Sequence, residues 1–416
     1  MTDVRQVPRA LRAAAFALMA TGALHAQAGC NAPARDPIVQ LELPGSPFEP
    51  VISADGCWLF VTLASPNGAG RIAVVHRDGG TLSVVRTVPV KGNPTGAVLT
   101  HDGKMLIVAD GDYIAFLDAA RLTTGDGDAV LGYMGGGSAV GFIYANVTAD
   151  DRILFVSAER AEAIIVVSLE RVRAGAIDAG AAIGKLDVGN APIAVTLSPD
   201  GRYLYTTSEG AAEDWKWRDE CPPENPAAGR GAGGRAGMPK YHAQGAVIVF
   251  DAAKAVADPA HALVSRTAAG CTPVRLVLSP DANTAYVTAR GDNTLLAFDA
   301  HRLVNDTAHA LLGKAKVGVA PVGIAVIDGG ARIVVTNSNR FAGGASDHQP
   351  LAVVDAVKLR AGGANAVLGE IPAGGFPREI RVSADGSTMF VTNFTSGTLE
   401  MVDLGRVRVH QGPGPI

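Results

Sequence analysis

Val195-Thr-Leu-Ser-Pro-Asp-Gly-Arg-Tyr-Leu-Tyr205 decides how the chain is read. Alternating apolar residues lead into Pro-Asp-Gly, and a second β-rich run leaves it, so the segment spells strand, tight turn, strand. Six further segments repeat the phrase: Val51 to Val61, Val98 to Val108, Val147 to Val156, Leu276 to Val287, Ile324 to Val335 and Ile380 to Val391. Their turn acids are Asp55, Asp102, Asp150, Asp200, Asp281, Asp328 and Asp385, spaced by 47, 48, 50, 81, 47 and 57 residues. A period near 50 residues suits one four-stranded propeller blade plus its loops, and 81 suits a blade carrying an insertion.

Each unit supplies a third strand, for example Tyr113-Ile-Ala-Phe-Leu117, Val247-Ile-Val-Phe250 and Leu351-Ala-Val-Val354. An Asp follows this strand in five units, where its carboxylate can accept backbone N–H bonds as the chain turns. A fourth, outer strand then enters a Gly/Pro corner such as Gly92-Asn-Pro94 or Gly374-Gly-Phe-Pro377. The seventh unit lacks an outer strand after Leu399 to Val402, whereas residues 38 to 43 form an orphan outer strand before the first unit. The expected fold is therefore an all-β, seven-bladed β-propeller of four-stranded antiparallel blades. The N-terminal strand joins the last blade, which leaves no open edge in the ring.

The pattern resembles the seven-bladed YVTN-repeat β-propeller family through Ser198-Pro-Asp-Gly201, Ser279-Pro-Asp281, Tyr286-Val-Thr288, Val335-Thr-Asn337 and Val391-Thr-Asn393. The resemblance spans residues 38 to 404. It implies the fold and leaves function open, because the family resembles both propeller-type lactonases and many exported proteins of unknown role. The Trp-Asp strand endings of WD-type propellers do not occur.

Arg5, Arg9 and Arg12 precede an apolar run from Ala13 to Leu24 and the triplet Ala26-Gln27-Ala28, the layout of a signal peptide spanning residues 1 to 28. The run is shorter than the roughly 20 residues that a membrane-spanning helix needs. The expected product is exported, periplasmic or extracellular, with a lead segment at 29 to 37, the propeller at 38 to 410 and a tail at 411 to 416. Taking the three Arg and one Asp of the leader from the 36 basic and 40 acidic residues leaves 33 and 39, a net charge of −6. That balance gives no field for nucleic acid.

The four cysteines follow the leader: Cys30, Cys57, Cys221 and Cys271. An even number in an oxidising compartment suggests two disulfides. By propeller order, Cys221 and Cys271 lie on the face of the corners and Cys30 and Cys57 on the face of the Asp-Gly turns, so the expected bridges are Cys30–Cys57 and Cys221–Cys271. Ala28-Gly29-Cys30 also matches the end of a lipid-attachment box. Gln27 stands where such boxes carry an aliphatic residue, and lipidating Cys30 would leave an odd cysteine, which disfavours a lipid anchor.

The insertion, residues 208 to 244 of blade four, falls on the corner face and carries Trp215 and Trp217. Those two read equally as a binding handle or as packing against the ring. A smaller excursion in blade six, 337 to 350, carries Arg340, Phe341, Asp347 and His348 on the same face. Aligning the units puts Pro47, Pro94, Phe142, Pro192, Pro273, Pro321 and Pro377 at the start of the innermost strands. Two residues later come Glu49, Gly96, Tyr144, Ala194, Arg275, Gly323 and Glu379, with Arg378 beside the last. Small residues leave room around a channel and charged ones orient a guest, although the same charges also suit a water-filled channel.

The nine His show no zinc-type spacing, the Asp-Gly pairs are explained by hairpin geometry, and no Gly-x-Ser-x-Gly elbow occurs, so neither a metal nor a cofactor is expected. The sequence favours a non-enzymatic scaffold that binds a protein, peptide or small ligand on the corner face, through Glu49, Tyr144, Arg275, Arg378, Glu379, Trp215, Trp217, Arg340 and His348. The alternative is a lactonase-type hydrolase with Glu49, Arg275, Arg378 and Glu379 as acid, base and oxyanion contacts. A quinone-dependent redox accessory is a weaker third option, marked by no residue pattern.

Overall fold

A computed structural model describes residues 29–30, 32–65, 69–137, 139–223, 241–340 and 349–411. The leader (1–28), His348 with the rest of 341–348, and tail residues 412–416 lie outside the described residues. The chain forms seven antiparallel blades around one axis. Blade one pairs Ser46–Ile52, Trp58–Ala64, Arg71–Asp78 and Thr81–Pro89 in sequence order from the centre outward, and blades two to six repeat the plan. Blade seven combines Pro377–Val382, Thr388–Asn393 and Thr398–Asp403 with Ile38–Glu42 as its outer strand, in the register Ile38 to Val402 and Glu42 to Thr398. The closure expected from strand counting is present. Beyond it, the chain crosses to blade six, where His410 and Glu370 exchange backbone hydrogen bonds of 2.7 and 2.8 Å. Among the described residues, no helix is long and apolar enough to cross a membrane.

Why the turns recur is visible in their hydrogen bonds. In six of the seven, a Ser or Thr two residues before the acid donates to its carboxylate: Ser53 to Asp55, Thr100 to Asp102, Thr148 to Asp150, Ser198 to Asp200, Ser279 to Asp281 and Ser383 to Asp385. The same carboxylate accepts the backbone N–H two residues on, as from Arg202 at 3.1 Å. Glycine follows the acid in four of these turns because φ is about +70° there, in the left-handed region. Asp151 takes that position in blade three at φ 54°, and its carboxylate accepts the backbone N–H groups of His101 and Asp102 from the neighbouring turn. Blade six departs: Val326 replaces the hydroxyl residue, Asp328–Gly330 forms a 3₁₀ turn, and Asp328 pairs with Arg332.

The Asp after the third strand caps a short helix. Asp118, Asp251, Asp299 and Asp355 accept N–H bonds at the starts of Ala119–Thr124, Ala252–Ala257, Ala300–Asn305 and Ala356–Arg360. Ser168 does this in blade three, and Asp403 bonds Gly405 N–H. These helices replace the plain turns expected between third and fourth strands.

Apolar side chains fill each interface between neighbouring blades, and the first and last blades meet in the same way through Leu59, Val61, Phe390 and Leu399. A hydroxyl on the second strand then fixes each junction. Thr288 accepts the Arg275 N–H (3.1 Å) and donates to Val322 O of the next blade (2.8 Å). Thr62, Ser157, Thr207, Thr336 and Thr392 make the same two contacts, the last reaching Phe48 O across the closure at 2.7 Å. The inner strand shifts register at this point, for example between Pro273 and Leu276, so the hydroxyl supplies the partner that the strand ladder withholds. Blade two has Ala109 here, and Thr95 on its inner strand donates instead to Ala109 O and Ile143 O.

Both expected disulfides are present, with Cα atoms 5.1 Å apart in Cys30–Cys57 and 5.5 Å in Cys221–Cys271. The Cys30 sulfur is bonded to Cys57 in this structure. Closing the 50-residue separation between Cys221 and Cys271 removes unfolded-chain entropy worth about 4 kcal/mol.

Thr288→Val keeps the shape but strands a buried N–H and a buried C=O. It is expected to lower unfolding stability by about 2 kcal/mol or more, with Thr288→Ser nearer to wild type. Urea denaturation of both variants measures this, and a valine variant as stable as wild type would remove the hydroxyl from the account.

Candidate functional site

The hydroxyl contacts set what faces the axis. Each N–H they bind belongs to the second residue after the corner position, so Glu49, Tyr144, Ala194, Arg275, Gly323 and Glu379 are anchored at one level of the channel. Glu49 is 0% exposed, Glu379 1%, Arg275 4% and Tyr144 9%. Four of the site residues named from sequence therefore meet here, but as a buried charged layer.

Arg275 pairs with Glu379 across the channel, from blade five to blade seven. Arg381 pairs with Glu49 at 2.5 Å and also donates to the Tyr144 hydroxyl. The Arg275 guanidinium lies 4.5 Å from the centre of the Tyr144 ring. The room left by the small residues is already taken. A Cβ on Gly96 would stand 2.8 Å from the Tyr144 ring, and one on Gly323 would stand 2.3 Å from Arg378 O. Gly96 and Gly323 thus admit neighbouring protein atoms where the sequence suggested space for a guest.

Burial dominates the protonation of this layer. It pushes Glu49 from 4.5 up to about 8, against the opposing pull of Arg381, while Glu379 adds to the rise. Burial also raises the Tyr144 hydroxyl. For Arg381 burial acts downward, but Glu49 and Tyr144 outweigh it and hold the guanidinium firmly charged. Both Glu49 oxygens and two Arg275 nitrogens, Nε and Nη1, lack aligned hydrogen bonds.

One residue nearer the corner face, Ile193, Val274 and Val322 cluster with Ile143. On the other side of this level stands Arg378, with its guanidinium 3.6 Å from the Phe48 ring centre and 5.4 Å from those of Phe376 and Phe394. Burial lowers the pKa of Arg378, as do the like charges of Arg275, Arg340 and Arg290, against Glu379. Arg290 is buried and pairs with Glu209 at 3.0 Å.

Other expected site residues stand apart from this layer. Trp215 and Trp217 pack on the core between blades three and four, their rings 5.2 Å apart, with the Arg266 guanidinium 4.8 Å from Trp215. Arg340 is exposed on the corner face, and His348 lies outside the described residues. The described ends of the insertion pair as Asp219–Cys221 with His242–Ala243. They border a cleft of about 320 Å³ lined by Asn190, Glu209, His242 and Thr272. A second corner-face cavity, of about 500 Å³, holds Lys91, Asp112, Tyr113 and Arg160.

Sequence alignment missed Arg381, Phe48, Phe376, Phe394, Arg290 and Glu209. Arg381 was within reach, since it sits two residues beyond Glu379 on one strand and so shares its face.

A scan of protein-family models finds no match to this chain, and a search of curated proteins finds none. Solved structures do match. A chain of Kuenenia stuttgartiensis hydrazine synthase superposes with a TM-score of 0.61 at 16% identity, covering 88% of this chain and 97% of that one. A chain of the mitotic checkpoint complex gives 0.61 at 14% identity, with 97% of each chain covered. At such identities the likeness shows the fold alone.

Three buried carboxyls have raised values: Glu49 to about 8, Glu400 to about 7 and Asp110 to about 6. The folded chain then binds more protons than the unfolded one over this range, so stability present below pH 4.5 declines as pH rises toward 8. Glu49→Gln is expected to flatten the decline between pH 7 and 8. Denaturant titrations at a series of pH values read the slope, and an unchanged slope in the variant would exclude Glu49 as its source.

Proposed function

We propose that this chain is an exported β-propeller of the YVTN-repeat type that acts as a non-enzymatic scaffold, holding a protein, peptide or small ligand on its corner face. One observation carries the reading: the Cys221–Cys271 bridge ties the blade-four insertion to the corner that enters blade five, beside a cleft on that face. A covalently anchored segment beside a cleft is a preorganised binding surface. The sequence of residues 1 to 28 and the two disulfides support export, since such bridges persist in oxidising compartments.

The hydrolase reading draws on Glu49, whose raised value suits a general acid. Against it, Glu49 is fully buried, its neighbours Arg275 and Glu379 neutralise each other, and the apolar cluster of Ile193, Val274 and Val322 covers part of the level between them and the corner face.

Deleting residues 211 to 243, with Cys271→Ser to avoid a free thiol, is expected to leave the ring folded and to abolish ligand capture from the exported fraction of the producing cell. Capture that survives the deletion would overturn the scaffold reading. A lactone panel tested with wild type, Glu379→Gln and Arg275→Ala is expected to show no activity dependent on those residues. Turnover lost in both folded variants would establish the hydrolase instead.

A further inference from the structure

The arginines near the corner-face end of the channel differ in their partners among the described residues. Arg275 has Glu379, Arg381 has Glu49 and Arg290 has Glu209. Arg378 has no carboxylate within ion-pair distance among the described residues, and its buried Nε lacks a hydrogen-bond partner. Its guanidinium rests on Phe48, Phe376 and Phe394, and the charges acting on it are those of three more arginines and Glu379. A partly buried cation among like charges is an arrangement that a bound anion would relieve.

We infer that the corner-face end of the channel is a receptor for a small oxyanion, a carboxylate or phosphate group, with Arg378 as its principal contact and Arg340 at its rim. This rests on the scaffold reading above and names the chemistry of what the face holds. Guanidinium groups suit such guests because their paired N–H donors match two oxygens at once. Stacking on three rings holds the Arg378 plane in place, so little freedom is lost on binding. The apolar cluster of Ile193, Val274 and Val322 on the same level lowers the local dielectric, which strengthens the attraction.

Calorimetric titration of the mature chain with inorganic phosphate, and separately with succinate, tests the inference at low ionic strength. The expected result is saturable one-to-one binding of at least one probe, weakened by salt. Arg378→Gln should weaken it about tenfold or more with an unchanged melting temperature. Binding of phosphate alone identifies a phosphate receptor, and binding of succinate alone an organic-acid receptor. If Arg378→Gln fails to fold, Arg340→Gln, at an exposed position, is expected to weaken binding by a smaller factor. Failure of both probes to bind, or equal binding by wild type and the folded variants, overturns the inference. Failure here would leave the scaffold reading standing if capture still depends on residues 211 to 243, whereas capture independent of that segment would sink the scaffold reading even with anion binding intact.

Discussion

A single hydroxyl at each blade junction organises this molecule. Apolar faces hold neighbouring blades together, but apolar contact is not directional and would tolerate some sliding. The second-strand Ser or Thr removes that freedom by joining an N–H of its own inner strand to a carbonyl of the next. Because the N–H belongs to a residue facing the axis, one contact both sets the angle between blades and aims a side chain into the channel. Blade two makes the link from its inner strand through Thr95, so the constraint survives a change in which residue supplies it.

The channel shows what such aiming permits. Two carboxyl groups and two guanidinium groups meet here with a tyrosine, and all but Arg381 are buried. Removing ions from water is costly, and a well-packed apolar set would often be as stable. Their pairing across blades five and seven, and seven and one, fixes which residues oppose each other around the axis. Arg378 breaks the pattern, since among the described residues its guanidinium has aromatic rings as neighbours where the others have a carboxyl group.

The repeat was legible in the sequence because its causes are local. Six of the seven turns use an acid, a hydroxyl two residues earlier and a residue that accepts positive φ, and Ser198, Asp200 and Gly201 present all three in four letters. The disulfides followed from strand order alone, since each cysteine could be assigned to a face. The state of the channel could not be reached that way. Arg275 and Glu379 are 104 residues apart, and only the curvature of the ring brings them together. Gly96 and Gly323 looked like vacancies because an alignment shows a missing side chain but not the neighbour that fills its place. The junction threonines were hidden for a different reason: Thr is common in strands, and its second partner lies in the following unit.

Strand exchange between the two ends of the polypeptide carries a kinetic consequence. Gln40 and Thr398 touch across 358 residues of intervening chain, and joining points that far apart costs an entropy of about 5 kcal/mol in a flexible coil. Individual hairpins can assemble from neighbours in sequence, so this junction is the slow, non-local event, and it waits on the strand Thr398–Asp403 near the end of the chain. Until then the hydrogen-bonding edge of Thr398–Asp403 stands open to foreign strands, and the Cys30–Cys57 link helps by tethering the lead segment to blade one while the last blade arrives.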